Sequence, residues 1–509
     1  MRRRGPAGIG RVPIGKALAA LALLIAPVAS AAQPDLAKIA AAAPVIDKVF
    51  ADYQLDSHAP GLVYGIVADG RLIHVRSFGV QELAQWRPVT PDTVFRIASM
   101  SKAFTALAIL TLRDEGKLSL DAPAETYVPE LRSWRYPVGD SRKIRVRDLL
   151  NHTSGLVTDD PWGDRQQVLS EAEFTALLRR PPPFTRAPGT AFEYSNYGYA
   201  LLGRIIANVS GQPFDRYIQN TIMRPLGMAS SGYEVRNSPL ERRAIGYRWE
   251  NNRWSEEPTM RHGAFGSMGG VHTTSNDYAK WIAFLLSGWP ARDGPATEPA
   301  LRSTVREMAE GSNHSRLRQR FGKSPVTQTA AYAMGLIQAQ DPDLGNTLSH
   351  GGGYPGYGSH MMLMPEHGVG IFVFTNRTYT GGSGPAWDAA VALHRAGAML
   401  GSKLAVSAEL AAAYRAAGAV YRTGDVTAAG NLLAMNFLLD RSRENWRGEL
   451  GKLRQEAGEC DTASPVSATG ALAGTFTWRC THGRIKGNVL LAPTTPAGIQ
   501  ALRMSVATP

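Results

Sequence analysis

The spacing of apolar and polar residues changes twice near the start of the chain. In residues 34–55 apolar residues recur every three to four positions, which predicts a helix with one buried face, kinked at Pro44. Runs 61–68 and 71–79 have strand-like composition, and Asp69-Gly70 between them favours a tight turn. A helix followed by a hairpin predicts helices layered on an antiparallel sheet, an α/β or α+β fold.

The stretch 94–112 combines a short extended segment with an apolar helix. The Ala- and Leu-rich run 103–112 predicts a buried helix, which places Ser99 at its start. Lys102, one turn on, lies on the same face and can hydrogen-bond the Ser99 hydroxyl. Burial is expected to lower the pKa of Lys102, so that its amine can take the serine proton. An isolated Ser-x-x-Lys is more often an N-cap serine followed by a solvent-exposed or snorkelling lysine.

Later segments alternate between turns and regular elements. Residues 144–156 predict a short helix and a turn, where His152 is expected to hydrogen-bond the backbone rather than to act as a base. Residues 198–210 predict a buried helix after a proline-rich loop. Runs 359–365 and 369–376 predict paired strands that follow a glycine-rich segment.

Residues 1–32 have the composition of a secretory signal peptide, with five basic residues, a short apolar run at 17–26, and Ala29-Ser30-Ala31 for cleavage. The apolar run is about half of the length that a membrane span requires, so we expect no stable anchor after cleavage and a periplasmic or secreted protein. Without the leader's basic residues the net charge of +12 falls to +7. That charge is spread along the chain, so no nucleic-acid partner is expected.

Two later segments, 194–196 and 350–356, add residue types that suit acyl transfer. A tyrosine beside Lys102 would have its phenolate favoured by that charge, which makes Tyr194 a candidate general base. Asn196 can accept a hydrogen bond from Lys102 and donate one to a substrate carbonyl. The N–H groups of Gly353 and Ser99 would together form an oxyanion hole. Each segment alone is equally typical of an ordinary loop or turn.

In chain order, Ser99-x-x-Lys102, Tyr194-x-Asn196 and His350-x-Gly352 resemble the motifs of the serine β-lactamase and penicillin-binding-protein superfamily. Within it the chain is similar to the branch of class C β-lactamases, D-alanyl-D-alanine carboxypeptidases, D-aminopeptidases and esterases. The likeness covers roughly residues 40–400 and includes the longer segments 95–102, 149–156, 194–203 and 365–376.

The resemblance implies a two-lobed domain over residues 33–401, in which an antiparallel sheet flanked by helices packs on an all-helical lobe. It implies that Ser99 attacks an amide, ester or lactam carbonyl while Lys102 and Tyr194 exchange its proton. Which of these two groups activates the deacylating water stays open. The substrate- and oxyanion-binding residues that it implies are Asn196, His350, Gly352 and Gly353.

His350 departs from the Lys of the Lys-Thr-Gly motif that β-lactamases usually carry. A neutral imidazole followed by Gly351, which has no hydroxyl, suits a β-lactam carboxylate less well than an ammonium and a threonine. We therefore expect an amide or ester hydrolase that takes D-amino-acid peptides or short esters, with peptidoglycan-derived peptides among the candidates. A class C-like β-lactamase and a penicillin- or muropeptide-binding sensor without turnover remain as alternatives.

Residues 402–509 are expected to form a small α+β accessory domain that resembles no family we recognise. Helices are predicted at 408–418 and 428–456, and strands at 474–480, 484–492 and 499–506. Both cysteines of the protein, Cys460 and Cys480, fall here, and in an exported chain we expect them to pair, a stabilisation of about 3 kcal/mol in the chain-entropy model. No metal, nucleotide or flavin motif is present, so no cofactor is expected.

Overall fold

The computed structural model describes residues 34–180, 182–295, 299–401 and 404–507. The predicted signal peptide, 1–32, lies outside the described residues. The described chain divides into two compact units, with the division at residue 404.

The bounds of the elements are as follows. The strands are β1 Gly61–Ala68, β2 Arg71–Glu82, β3 Arg87–Pro88, β4 Phe95–Arg96, β5 Tyr247–Glu250, β6 Arg253–Glu256, β7 His272–Thr273, β8 Asn313–Gln319, β9 Thr327–Tyr332, β10 Ile337–Asp341, β11 Gly345–Tyr354, β12 Tyr357–Met364, β13 Val369–Thr375, β14 Ser467–Gly470, β15 Ala473–Cys480, β16 Gly483–Leu491 and β17 Ile499–Ala507. The α-helices are α1 Leu36–Asp56, α2 Lys102–Asp114, α3 Val146–Leu150, α4 Trp162–Arg165, α5 Glu171–Leu178, α6 Asn196–Ser210, α7 Phe214–Ile218, α8 Gly266–Gly269, α9 Ser275–Leu286, α10 Arg302–Met308, α11 Ser383–Arg395, α12 Ala408–Thr423, α13 Phe437–Asp440 and α14 Arg443–Ala457.

The larger unit is built on a nine-stranded sheet with the order β3-β2-β1-β13-β12-β11-β10-β9-β8, in which the strands pair antiparallel. Strand β1 is buried along its whole length because helices cover both faces. Leu62, Tyr64 and Ile66 join the core that contains α1 and α11, whereas Val63 and Val67 join the core on the other face. This double burial explains why the sequence of β1 is continuously apolar.

The turn between β1 and β2 agrees with the prediction. Asp69 and Gly70 both have positive φ, 51° and 69°, as a type I′ turn requires. Ala68 pairs with Arg71 across the turn. Strand β2 then continues to Glu82, beyond the predicted end, because it also pairs with β3.

The chain between β4 and β7 is largely helical and forms the second lobe, which confirms the fold that the resemblance implied. Ten of the thirteen residues of α2 are buried, and α6 and α8 pack against it. Helix α6 begins at Asn196, two residues before the predicted start, because the Ser195 hydroxyl caps it by accepting from the N–H of Gly198. The catalytic candidates therefore lie at the starts of two buried helices.

The smaller unit, 404–507, places helices on a four-stranded sheet with the order β14-β15-β16-β17. Its predicted helix 428–456 is wrong in its first half. The chain has φ 58° and ψ −129° at Gly430, the short helix α13 follows at Phe437–Asp440, and the long helix α14 begins only after the Ser442 cap. Within this stretch the apolar residues Met435 and Leu439 are 89% and 79% exposed. Strand β14 was not predicted, since its four residues are too short and polar to show a pattern.

Cys460 and Cys480 form a disulfide, as predicted. None of the described helices combines the length and apolar composition needed to cross a membrane.

Candidate active site

Ser99 lies in a buried turn that the sheet and the helical lobe both hold. The 3₁₀ turn Ala98–Ser101 joins β4 to α2, with φ 48° at Ala98. The hydroxyl of Ser101 donates to the Ala98 carbonyl over 2.6 Å and accepts from the N–H of Val271 over 3.0 Å. The predicted placement of Ser99 at a helix start is correct, and Ser101 has a structural role in fixing the turn.

Lys102 is fully buried, and its ammonium nitrogen has three partners. Nζ lies 3.1 Å from the Ser99 hydroxyl oxygen, 2.7 Å from the amide oxygen of Asn196 and 2.8 Å from the main-chain oxygen of Met268. Three N–H bonds are thus matched by three acceptors. The Met268 contact had no signal in the sequence, because a main-chain oxygen depends on the tertiary path of the chain and not on residue type.

Burial lowers the pKa of Lys102 from 10.5 to about 8, although the carboxylates of Asp160, Asp164 and Asp159, in decreasing order, raise it. The lowered pKa confirms the expectation for a lysine in an apolar helix. At neutral pH a usable fraction of the amine is therefore unprotonated.

Tyr194 approaches the same serine from the loop before α6. Its phenol hydrogen-bonds the Ser99 side chain, and its ring centroid lies 4.9 Å from Lys102 Nζ. Burial is the largest cause that raises the pKa of Tyr194 well above 10, and the negative charge of Asp160 is the second. Burial therefore disfavours the phenolate that the sequence analysis expected, although the Lys102 cation faces the Tyr194 ring.

Asn196 contacts Lys102 as expected and also hydrogen-bonds the acidic loop before α4. Its side chain is fully buried, and its Nδ2 donates to the Asp160 carboxylate. Its main-chain N–H donates to Asp159 Oδ1 over 2.6 Å, which satisfies the start of α6. In the described structure Asn196 therefore orients Lys102, and its contact with a substrate carbonyl stays a prediction.

His350 and the three glycines after it lie on β11, beside the serine turn. At Gly352 a Cβ atom would lie 2.3 Å from the Ile97 oxygen and 2.2 Å from Ser359 Oγ, so only glycine allows β11 to approach this turn. Gly353 and His350 line the same cavity as Ser99. The structure thus brings the three sequence motifs together, with Gly352 acting as a packing residue.

The cavity above Ser99 has a volume of about 620 Å³. Two carboxylates that sequence analysis missed, Asp160 and Asp164, lie in its wall with Tyr379, whose hydroxyl donates to Asp164 over 3.0 Å. Burial, and then Asp160, raise the pKa of Asp164 to about 7. Two acidic residues in a loop form no distinctive sequence motif, so only the folded structure shows that they line the cavity.

His152 bonds the backbone, as predicted. Its Nδ1 accepts from the N–H of Ser195 over 3.1 Å, so the proton of the neutral ring is on Nε2. The ring lies 4.3 Å from that of Tyr194 between centroids, and burial lowers its pKa well below 6.5. His152 therefore supports Tyr194 by packing and remains neutral.

Residues 46–396 match the profile of the family described as Beta-lactamase, which is more than half of the chain. The chain belongs to the beta-lactamase family. Protein Flp of Staphylococcus aureus (strain N315) is 30% identical over 344 residues, which cover 65% of this chain. The alignment spans 62% of the length of Flp.

Esterase EstB of Burkholderia gladioli is 28% identical to this beta-lactamase-family protein over 366 residues, 67% of this chain and 92% of EstB. Among solved structures, the octameric penicillin-binding protein homologue from Pyrococcus abyssi has a TM-score of 0.59 at 21% identity, covering 91% of this chain and 99% of that chain. Beta-lactamase from Sulfitobacter sp. EE-36 has a TM-score of 0.55 at 23% identity, and the match covers 70% of this chain and 97% of that chain. These two structures confirm the β-lactamase-like fold.

Proposed function

We propose that this protein is an exported serine hydrolase that cleaves short esters or D-amino-acid peptides through an acyl-enzyme on Ser99. The observation that carries the proposal is the set of partners around Lys102. The oxygens of Met268 and of the Asn196 amide can only accept, so they take both N–H bonds of the neutral amine. The lone pair then faces the Ser99 hydroxyl 3.1 Å away, the geometry that a general base needs.

In the acylation step Lys102 takes the hydroxyl proton while Ser99 Oγ bonds to the substrate carbonyl carbon. The carbonyl oxygen becomes an oxyanion, for which the N–H groups of Ser99 and Gly353 are the proposed donors. The bond to the leaving group breaks, and the proton on Lys102 passes to that group directly or through the neutral Tyr194 phenol. A water then attacks the ester carbon with Lys102 again as base, and Ser99 leaves as a hydroxyl.

The choice of an ester or D-peptide over a β-lactam rests on His350. Burial first, and the charge of Lys102 next, lower the pKa of this imidazole to about 4. It is therefore neutral at pH 7 and lacks the permanent positive charge that would favour a β-lactam carboxylate. The similarity to a protein named as an esterase supports the same choice.

The nucleophile can be tested by intact mass and peptide mapping after treatment with a fluorophosphonate and with a penicillin. We expect one adduct on the peptide that contains Ser99, and none on a folded Ser99→Ala variant. Because Ser101 lies on the same peptide, fragmentation must place the adduct. An adduct on Ser101, or persistent labelling of Ser99→Ala, contradicts the assignment.

The substrate class can be tested by comparing nitrocefin, p-nitrophenyl butyrate and a D-alanyl p-nitroanilide. We expect ester or D-peptide turnover with slow nitrocefin hydrolysis, and a selective gain on nitrocefin in the His350→Lys/Gly351→Thr variant of about ten- to a hundredfold, the effect of one charge-assisted hydrogen bond. Wild-type nitrocefin turnover as efficient as that of a dedicated β-lactamase favours the β-lactamase alternative. Stable acylation without turnover of any substrate favours a sensor.

A further inference from the structure

The outer face of the sheet in the smaller unit is basic and exposed. The strands β14 to β17 contain four basic residues but no aspartate and no glutamate. Along β15, β16 and β17 the apolar side chains point inward to the core with the helices, and the residues between them point outward to solvent. All four basic residues are on the outward side, and we call them the basic face: Arg479, Arg484, Lys486 and Arg503.

The strand register places the four cations in one strip across the sheet. Arg479 of β15 lies directly opposite Arg484 of β16, and Lys486 follows two residues later on the same side of β16. Arg503 of β17 pairs with Asn488, so it is a diagonal neighbour of Lys486. In an antiparallel sheet such neighbours are about 5 to 8 Å apart at the main chain, so the four side chains form a single cluster of positive charge.

The positive charges of the basic face have no partner in the described part of the chain. None of the four side chains forms an ion pair or a hydrogen bond there. An acid close to the face, Asp461, donates its main-chain N–H to the Arg479 carbonyl over 2.8 Å. Its carboxylate accepts instead from the N–H of Ala463 over 3.0 Å and from the hydroxyl of Ser464 over 3.1 Å. The basic face can therefore bind anions from outside the chain.

Two of these cations are arranged at a cost to stability. Like charges directly opposite each other on neighbouring strands are destabilising, and Arg479 and Arg484 are such a pair. An anion between them would relieve this repulsion. A depression of about 400 Å³ lies beside the pair, and hydroxyl-bearing residues are part of its lining: Ser464, Ser467, Thr475 and Thr477. Guanidinium and hydroxyl groups both donate hydrogen bonds, as the oxygens of a phosphate require.

We propose that the basic face docks this protein on the surface of a bilayer that contains anionic phospholipids. All four cations lie on one side of one sheet, so they can approach a plane of headgroup phosphates together, and Leu490, 39% exposed, lies on the same side. Single-stranded nucleic acids are bound by aromatic side chains on which bases stack, whereas Phe476 and Trp478 of β15 are buried on the opposite side. The contact is peripheral and reversible, unlike a membrane anchor, and it does not depend on the hydrolase activity.

The test is sedimentation of the protein with vesicles of phosphatidylcholine, alone or mixed with about one-third phosphatidylglycerol. The protein begins at residue 33, so that the basic residues of the predicted leader do not contribute. We expect binding to the anionic vesicles at about 0.1 M salt and release at about 1 M, where the Debye length falls from about 10 Å to about 3 Å. We expect no binding to phosphatidylcholine alone.

Each cation near an anionic surface strengthens binding by about fivefold, so loss of all four should lower the vesicle partition coefficient by about tenfold or more. The variant is Arg479→Gln/Arg484→Gln/Lys486→Gln/Arg503→Gln. The matched control removes the same charge from exposed arginines of the larger unit, Arg71→Gln/Arg135→Gln/Arg179→Gln/Arg253→Gln, and should bind as the wild type does. Equal losses in both variants would show an effect of net charge alone and overturn the proposal. So would a wild type that does not bind anionic vesicles, or that binds both kinds equally.

A single substitution tests the same face with little risk to folding. Arg484→Glu places opposite charges across from each other, so Tm should be kept or raised while vesicle binding falls about tenfold. Arg253→Glu is its control and should leave binding unchanged. Equal binding by these two variants overturns the proposal. Single-stranded and duplex oligonucleotides are tested in parallel, and binding to either that needs the basic face, without vesicle binding, would assign the face to nucleic acid instead.

Discussion

Removing negative charge near Lys102 should lower the pH at which the enzyme becomes active. Asp160 is the largest of the charges that raise the pKa of this lysine, and its carboxylate also accepts from the Asn196 amide. Asp160→Asn removes the charge but keeps an oxygen that can accept. The pKa of Lys102 should therefore fall further below about 8, while its partners stay in place.

The magnitude follows from the fraction of free amine. With a pKa of about 8, roughly 9% of Lys102 is unprotonated at pH 7 and roughly 91% at pH 9, so kcat/KM of the wild type should rise about tenfold over this interval. Because Lys102 acts as a base, kcat/KM should increase as the pH rises through the pKa of this lysine. In Asp160→Asn the same rise should occur at lower pH, with a gain at pH 7 of at most about tenfold.

The assay is hydrolysis of p-nitrophenyl butyrate from pH 6 to pH 10, with the rate of Ser99→Ala subtracted at each pH. Asp69→Asn, in the exposed turn between β1 and β2, is the matched control and should keep the wild-type midpoint. A wild-type profile that is flat from pH 7 to pH 9 would refute the reasoning. So would a midpoint that moves to higher pH in Asp160→Asn.

Three further outcomes are expected. Lys102→Ala and the Lys102→Ala/Tyr194→Phe double variant should be similarly inactive on esters, because both groups serve one proton network; losses that multiply would contradict this. Gly352→Ala should lower both Tm and kcat, since its Cβ would lie 2.3 Å from a main-chain oxygen of the segment before the nucleophile; unchanged values would show that β11 can move away. The Asp341→Ala/Asp343→Ala double variant should lower the free energy of unfolding by about 3 kcal/mol in urea titration, because Arg320, 2% exposed, loses both of its carboxylate partners; a loss below about 1 kcal/mol would count against a fixed ion-pair cluster.

Much of the fold could be predicted from local pattern. Helix α1, the hairpin of β1 and β2, helix α2 and the pair β12–β13 all show an uninterrupted period or a distinctive turn, and the helices and strands form close to the predicted bounds. Prediction failed at 428–456, where the helical period continues through Gly430 although the backbone there leaves the helical region. Tertiary packing overrides a periodic pattern when a glycine permits the change of direction.

The sequence by itself determined which side chains could carry the chemistry, because Ser99 and Lys102 are about one helical turn apart and that spacing puts both side chains on the same face. Only the tertiary structure decided their states. The pKa values of Lys102 and Tyr194 depend on burial and on Asp160, and the pKa of His350 depends on burial and on the charge of Lys102. These partners come from segments far apart in the chain. Solvent exclusion and long-range contacts set proton affinities, and no local pattern of residue types encodes either of them.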